Sequence, residues 1–292
     1  MTAPRERLLL DAPSLVYRAF FAVPSSLADR DGRPVNAVRG FVDMLARLVA
    51  DRRPAAVVAA FDDDWRPAAR VAAYPGYKAQ RADDPPELPP QFPLVERVLD
   101  AAGIPRATSP GLEADDALAT LVAAPRRGER TVVVTGDRDL VALVRDPDVA
   151  VLFTVRGTSQ LDELDEAAVR ERYGVPPQLY ADFAMLRGDP SDGLPGVAGI
   201  GPVRAARLVT RFGSVDAILD NLGELPAGQA TALDAARDYL AAMARVVPMV
   251  RDAPVETTAS GGPDADRLHA LAERHNLGGP VRRLLDALDA AR

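Results

Sequence analysis

The sequence predicts an α/β protein built on a parallel sheet, and three observations carry that reading. Three short apolar runs end in aspartate: LLLD at Asp11, AVVAAFD at Asp62 and TVVVTGD at Asp137. Amphipathic helical patterns separate them, over 37–48, 94–102 and 114–124. From about Glu166 onward the pattern becomes mainly helical.

Taken in order, each apolar run is a brief β-rich segment followed by a turn, and buried strands alternating with helices give a parallel sheet. A further strand is expected over 150–153, after a helix beginning near Leu140. In such sheets ligands bind at the carboxyl ends of the strands, so three strand-end aspartates should share one crevice. The stretch 65–110 changes character, holding nine of the 26 prolines together with Tyr74, Tyr77, Lys78 and Arg81. So long a proline-broken insertion with clustered Tyr and Arg is expected to be a functional lid. In the helical part, Gly and Pro punctuate the chain at Gly174, Pro176, 188–201, Gly213 and Gly223. The last thirty residues read as two amphipathic helices separated by Gly278-Gly-Pro.

Composition narrows the chemistry. The 292 residues are 48% hydrophobic and 26% charged, as a folded protein should be. The absence of cysteine excludes a disulfide scaffold, a thiol nucleophile and any zinc site needing sulfur. The two histidines, His269 and His275, lie close together in a late helical stretch, which argues against a histidine-centred site. The opening MTAPRERLLLD has no long apolar region and reaches an aspartate at once, so a cytoplasmic protein is expected.

The formal charge is −7, which at first sight disfavours a phosphate-bearing partner. The acids, however, are gathered in knots. Gly111-Leu-Glu-Ala-Asp-Asp supplies Glu113, Asp115 and Asp116 at a helix N-terminus; Thr-Gly-Asp-Arg-Asp supplies Asp137 and Asp139; Gly-Asp-Pro-Ser-Asp-Gly supplies Asp189 and Asp192. Each knot alone has a structural explanation, as a helix cap or a turn. With Asp11 and Asp62 they form an oxygen-only set whose mutual repulsion calls for cations. Hard oxygen donors select Mg²⁺ or Mn²⁺, two or more ions, and paired ions of this kind serve phosphodiester hydrolysis. Setting those nine acids aside leaves 35 basic against 33 acidic side chains. Of the 35, only Lys78 is a lysine.

Gly196-Val-Ala-Gly-Ile-Gly-Pro precedes a helix from Val203 to Phe212, then Gly213 and another helix. Glycines before a helix N-terminus free backbone N–H groups for a phosphate. This is a helix-hairpin-helix style of grip, one that holds duplex phosphates without reading sequence.

These residues resemble the 5′ nucleases, the family that includes the N-terminal domain of bacterial DNA polymerase I, phage 5′ exonucleases and flap endonucleases. The resemblance rests on LLLDAPSLVYRAFFA, FDDDWRP…YPGYKAQR, GLEADD, TGDRDL and GDPSDGLPGVAGIGP, in that order. It implies a PIN-like parallel-sheet core with a helical arch over the site and a C-terminal helix-three-turn-helix grip. The expected division is 1–165 for the core, with its arch over 65–110, and 166–292 for the helical DNA-binding region, with the grip around 186–222. By the same resemblance the nine acids match the metal cluster, and Lys78 and Arg81 match the arch residues that steer the scissile phosphate. Arg18, Arg70, Tyr77, Gly196, Gly199, Ile200, Gly201 and Arg204 are the expected DNA contacts, with K⁺ or Na⁺ at the glycine turn. The sequence departs from the family at Gly193, at Val203 where a lysine is common, and at Asp64 and Trp65 at the arch mouth.

The expected activity is metal-dependent 5′-3′ exonucleolytic or flap cleavage of DNA in replication or repair. Its partners are 5′ flaps, recessed or nicked duplexes and 5′ ends, with transient contact to a separate polymerase or sliding clamp. A free-standing, nucleoid-associated monomer away from membranes is expected. The competing readings are a non-catalytic DNA-binding protein of this fold, which predicts missing acids, and a PIN-type ribonuclease, which has no need of the glycine turn.

Overall fold

The structure is a computed structural model and describes residues 5–124, 128–156 and 159–291. Residues 1–4, part of the stretch read for a leader, lie outside the described residues.

Seven strands form one sheet in the order β6-β5-β4-β1-β2-β3-β7. They are β1 Arg5–Asp11, β2 Ala56–Ala60, β3 Arg106–Thr108, β4 Glu129–Thr135, β5 Val149–Arg156, β6 Gln160–Leu164 and β7 Glu256–Thr257. The five inner strands are parallel, and the two edge strands, β6 and β7, run antiparallel to their neighbours. Central β1 pairs on both sides, with Leu9 opposite Val58 of β2 and Val133 of β4. Leu8, Leu9 and Leu10 are all fully buried, so a continuous apolar run is what a strand covered on both faces requires.

The pleat then assigns the two layers. Leu8 and Leu10 face α1 (Ala12–Ala22), α2 (Asn36–Arg52) and α4 (Phe92–Ala101), while Leu9 faces α5 (Ala114–Ala123) on the other side. A short α3 (Ala68–Ala73) lies before α4. The helical part comprises α6 (Glu166–Tyr173), α7 (Tyr180–Arg187), α8 (Pro202–Phe212), α9 (Val215–Asp220), α10 (Ala227–Ala235) and α11 (Arg237–Val246). Its apolar faces join the Leu9 layer. The last two helices, α12 (Ala265–Arg274) and α13 (Gly278–Ala290), cross to the opposite layer and bury Leu268, Leu277, Val281 and Leu284 there.

Several local expectations change. Asp11 does not lead into a turn; its side chain accepts the Ser14 N–H and caps α1 directly. Residues Asp139–Leu143 form a 3₁₀ turn, because a bend at 145–148 follows and leaves no room for a full α-helix. The stretch 65–110 is not one lid: α4 and β3 within it are core, with Val95, Val98, Leu99 and Ala107 buried. The part over the site, 64–88, has one six-residue helix and turns in place of a long helical arch. Gly278-Gly-Pro opens α13 instead of separating it from α12, since Pro is at home in a helix's first turn. The expected division near residue 165 meets a chain that returns: β7 joins the sheet beside β3, and α13 packs along α2.

The α1–α2 crossing is tight at Gly40, where an added Cβ would meet Ala19 Cβ at 2.8 Å and Val23 Cγ2 at 2.9 Å. Gly40→Val should therefore cost about 1–3 kcal/mol by overpacking. A lower urea midpoint with an unchanged slope is the expected measurement.

Candidate active site

Five loops meet at the carboxyl end of the inner strands. β1 delivers Asp11, the loop after β2 delivers Asp62, and the N-terminus of α5 delivers Glu113, Asp115 and Asp116. The loop after β4 delivers Asp137 and Asp139, and the turn after α7 delivers Asp189 and Asp192. Glu113 is the N-cap of α5, and its reciprocal bonds with Asp116 form a capping box. The helix therefore begins where Asp115 can face the crevice while Asp116 points inward.

The nine carboxylates divide by what neutralises them. Glu113 and Asp116 are buried and bound to protein cations. Arg70 bonds Asp116 through two nitrogens at 2.8 and 2.9 Å and also reaches Glu113. Tyr77 donates its hydroxyl to Glu113 at 2.6 Å, and the Lys78 ammonium pairs with the same carboxylate. Asp189 is clasped by Arg138 at 2.6 Å and accepts from Ser191, and Arg187 approaches at 3.6 Å. Asp192 pairs with Arg81 at 2.8 Å.

Asp11, Asp62, Asp115, Asp137 and Asp139 carry no ion pair among the described residues. Asp11 accepts the Thr135 hydroxyl at 2.5 Å, Asp62 accepts the Ala114 N–H at 2.8 Å and Asp137 accepts the Asp139 N–H at 2.9 Å. Burial, then the Asp137 and Asp62 charges, push the Asp11 carboxyl up to about 7. Asp115 is raised well above the carboxylate range by desolvation and by Asp137 and Asp11, and Asp139 by desolvation and by Asp137, Asp189 and Asp192. At Asp189 burial is again the largest single effect, but the bonds from Arg138 and Ser191 and the Arg138 charge together outweigh it and hold the group low.

Four of the nine expected ligands thus already have cationic partners, while five repel one another. Among the described residues no three of the acids stand in a ready-made ion cage. The donor chemistry nonetheless fits a hard divalent cation: the set is all oxygen, and Asp139 Oδ1 is buried with no hydrogen-bond partner.

Lys78 and Arg81 sit on the same turn but differ. Lys78 is buried, with a left-handed backbone (φ 52°), and its N–H donates to the Asp192 carbonyl at 2.9 Å. Its ammonium also donates to the Trp65 carbonyl at 3.2 Å. Desolvation lowers its pKa, against the pull of Asp192, Asp115 and Asp62. Arg81 is exposed and braced on the 190–192 turn through the Ser191 carbonyl. Tyr77 and Arg70, expected to touch DNA, are buried in the Glu113–Asp116 knot. Arg18 donates to the Thr154 carbonyl at 3.2 Å.

Around Gly199 the chain makes a turn closed by Ile200 N–H to the Val197 carbonyl at 2.9 Å. Gly199 holds φ 75° at its third position, which favours glycine. Gly196 is required for a second reason, since a Cβ there would meet the Arg187 carbonyl oxygen at 2.4 Å. Ile200 is buried as the anchor, Gly201 caps α8, and Arg204 bonds the Gly199 carbonyl at 2.6 Å. Sequence reasoning missed Thr135, Ser14 and Arg138. Only Arg138 had a signal, its place between Asp137 and Asp139.

Fold and site together define the class: a PIN-like α/β nuclease with a carboxylate crevice and a helical grip. The 5′-3′ exonuclease N-terminal, resolvase-like domain matches residues 6–174, and the 5′-3′ exonuclease C-terminal SAM fold matches 175–263. The chain belongs to the 5′-3′ exonuclease family. It is 46% identical over 303 residues to a 5′-3′ exonuclease of Streptomyces coelicolor, covering 97% of this chain and 100% of that one. It is 42% identical over 287 residues to DNA polymerase I of Mycobacterium bovis, covering 97% of this chain but 30% of that protein. A bacteriophage T5 flap endonuclease, solved as a pseudo-enzyme–product complex with DNA and metal ions, shares the fold with a TM-score of 0.67. It is 20% identical and covers 98% of this chain and 100% of its own.

Arg70→Gln should destabilise the protein by about 3–5 kcal/mol, because it strands two buried carboxylates. Denaturant unfolding of the variant measures it. In EDTA, stability should fall as pH rises from about 4 through about 7. The native Asp11 holds its proton up to about 7 while the unfolded side chain releases it near 3.8, so the native state binds more protons across that window. Asp11→Asn should flatten this slope in thermal melts run from pH 4 to 8.

Proposed function

We propose that the protein is a metal-dependent 5′ nuclease that hydrolyses DNA phosphodiesters at 5′ ends and flaps. The observation that carries it is the group of five carboxylates without protein counter-cations at the strand ends, beside the buried Lys78. Asp11, Asp62, Asp115, Asp137 and Asp139, with Asp189 and Asp192 at the rim, would hold Mg²⁺ or Mn²⁺. Such paired ions supply an activated water and stabilise a leaving oxygen.

The chain's own groups do the rest. Glu113, held by Arg70 and Tyr77, aims the Lys78 ammonium, whose charge is felt by Asp192, Asp115 and Asp62. A phosphate drawn in there would have its developing charge offset by Lys78, a preorganised donor in a site of low dielectric. Arg81, exposed on the outer side of the same turn, guides the strand toward it. The Gly199 turn and the α8 N-terminus present N–H groups to a phosphate of the duplex. The rival non-catalytic reading predicts missing acids, and all nine are present.

The test is cleavage of a 5′-labelled flap and a recessed 5′ duplex with Mg²⁺, Mn²⁺ or EDTA. Products should require metal, and Asp137→Asn should abolish them. Lys78→Ala should fold, since Glu113 keeps Arg70 and Tyr77, yet lose roughly 100- to 1,000-fold in kcat. Cleavage that persists in EDTA would sink the metal-dependent reading.

A further inference from the structure

Trp65 is the chain's single tryptophan, and its side chain is half exposed, at 50%. Its backbone is nonetheless held firmly. The Trp65 carbonyl takes the Lys78 ammonium at 3.2 Å, and Asp64 on one side accepts the Arg66 N–H at 2.9 Å. On the other side, the Arg66 guanidinium bonds the Tyr77 carbonyl at 2.6 Å and the Pro75 carbonyl at 2.9 Å. Asp63 and Asp64 donate their own N–H groups to the Leu112 carbonyl, and Asp63 accepts the Gly111 N–H at 2.6 Å. An exposed indole on a loop so pinned has already lost the backbone entropy that binding would otherwise have to overcome.

The surroundings say which part of a nucleic acid can lie there. Asp62, Asp63 and Asp64 precede the indole directly, and the Arg66 guanidinium is occupied by two carbonyls. Residues 62–66 therefore bring three negative charges to this stretch of chain and offer a phosphate no free cation of their own. An uncharged π-face suits it, and base stacking on an aromatic tolerates any sequence. A base pair inside a duplex offers no free face, so the base must be unpaired.

The geometry points to Trp65 as the stacking platform for an unpaired base of the 5′ strand as it reaches Lys78, and so as a residue that sets preference for single-stranded 5′ ends. This rests on the nuclease reading and adds a specificity determinant to it. The backbone carbonyl that carries the indole accepts from the Lys78 ammonium, so a base stacked on the ring would register its strand relative to that charge.

With one tryptophan, emission excited at the red edge, where the tyrosines do not absorb, reports Trp65 alone. The full-length protein is titrated in EDTA with a 5′ flap, with the same flap carrying abasic sites in its unpaired part, and with blunt duplex. Anisotropy of a label on the DNA follows binding independently. The expected result is quenched emission with the flap and unchanged emission with the abasic flap and the duplex. Trp65→Ala should weaken flap binding on the order of 10-fold, with duplex binding unchanged and Trp65→Phe in between. Bound flap with unquenched emission, or equal loss of flap and duplex binding in Trp65→Ala, would overturn the assignment. Cleavage of the flap by the wild type in Mg²⁺ is scored separately: a cleaved flap with a silent indole removes the stacking role and leaves the nuclease reading standing.

Discussion

The rest of the site depends on one buried electrostatic knot, Arg70 between Glu113 and Asp116. It is closed by Tyr77 and Lys78 on one side and by the 248–250 strap on the other. Asp116 accepts the Val250 N–H at 2.8 Å while two Arg70 nitrogens hold its oxygens, so a fully buried carboxylate is satisfied on every side. Three distant stretches of chain are thereby tied to the first turn of α5. Removing a buried charge's partner costs far more than forming the pair gains, and this asymmetry makes the knot a constraint on where the segments can sit.

That constraint sorts the acids into two populations. Those the protein neutralises itself are Glu113, Asp116, Asp189 and Asp192: the first two hold Lys78 and fix the start of α5, and the other two brace the 189–192 turn against Arg138 and Arg81. Those it leaves opposed, Asp11, Asp62, Asp115, Asp137 and Asp139, hold electrostatic repulsion at the strand ends, visible in carboxyls displaced upward by burial and by one another. A parallel sheet makes this affordable, because its buried strands deliver the side chains from a rigid base. Leu8, Leu9 and Leu10 leave no freedom for Asp11 to move away.

The lid segment shows the same economy. With only a six-residue helix and a run of turns, it is ordered by what it touches. Its Lys78 N–H and Gln80 amide reach the 190–192 turn at 2.9 and 3.0 Å, which bridges the α/β core to the helical part. The two parts of the chain are therefore joined at the crevice itself, and again where β7 and α13 return to the sheet and α2.

The sequence by itself determined the parallel sheet, the strand-end aspartates and the glycine turn. Those are local: an apolar run long enough for a doubly covered strand, a carboxylate at its end, and a glycine where φ must be positive are each readable from adjacent residues. The tertiary structure alone decided which acids remain free. Arg70 and Tyr77 carry no mark in the sequence that separates a DNA contact from a buried partner, because that depends on α5 lying 43 and 36 residues further along the chain. The edge strand β7 was equally invisible, a two-residue segment whose strand character comes wholly from pairing with β3. Periodicity reports the burial of a face, whereas charge compensation is settled by distance in space, and only the folded chain sets that distance.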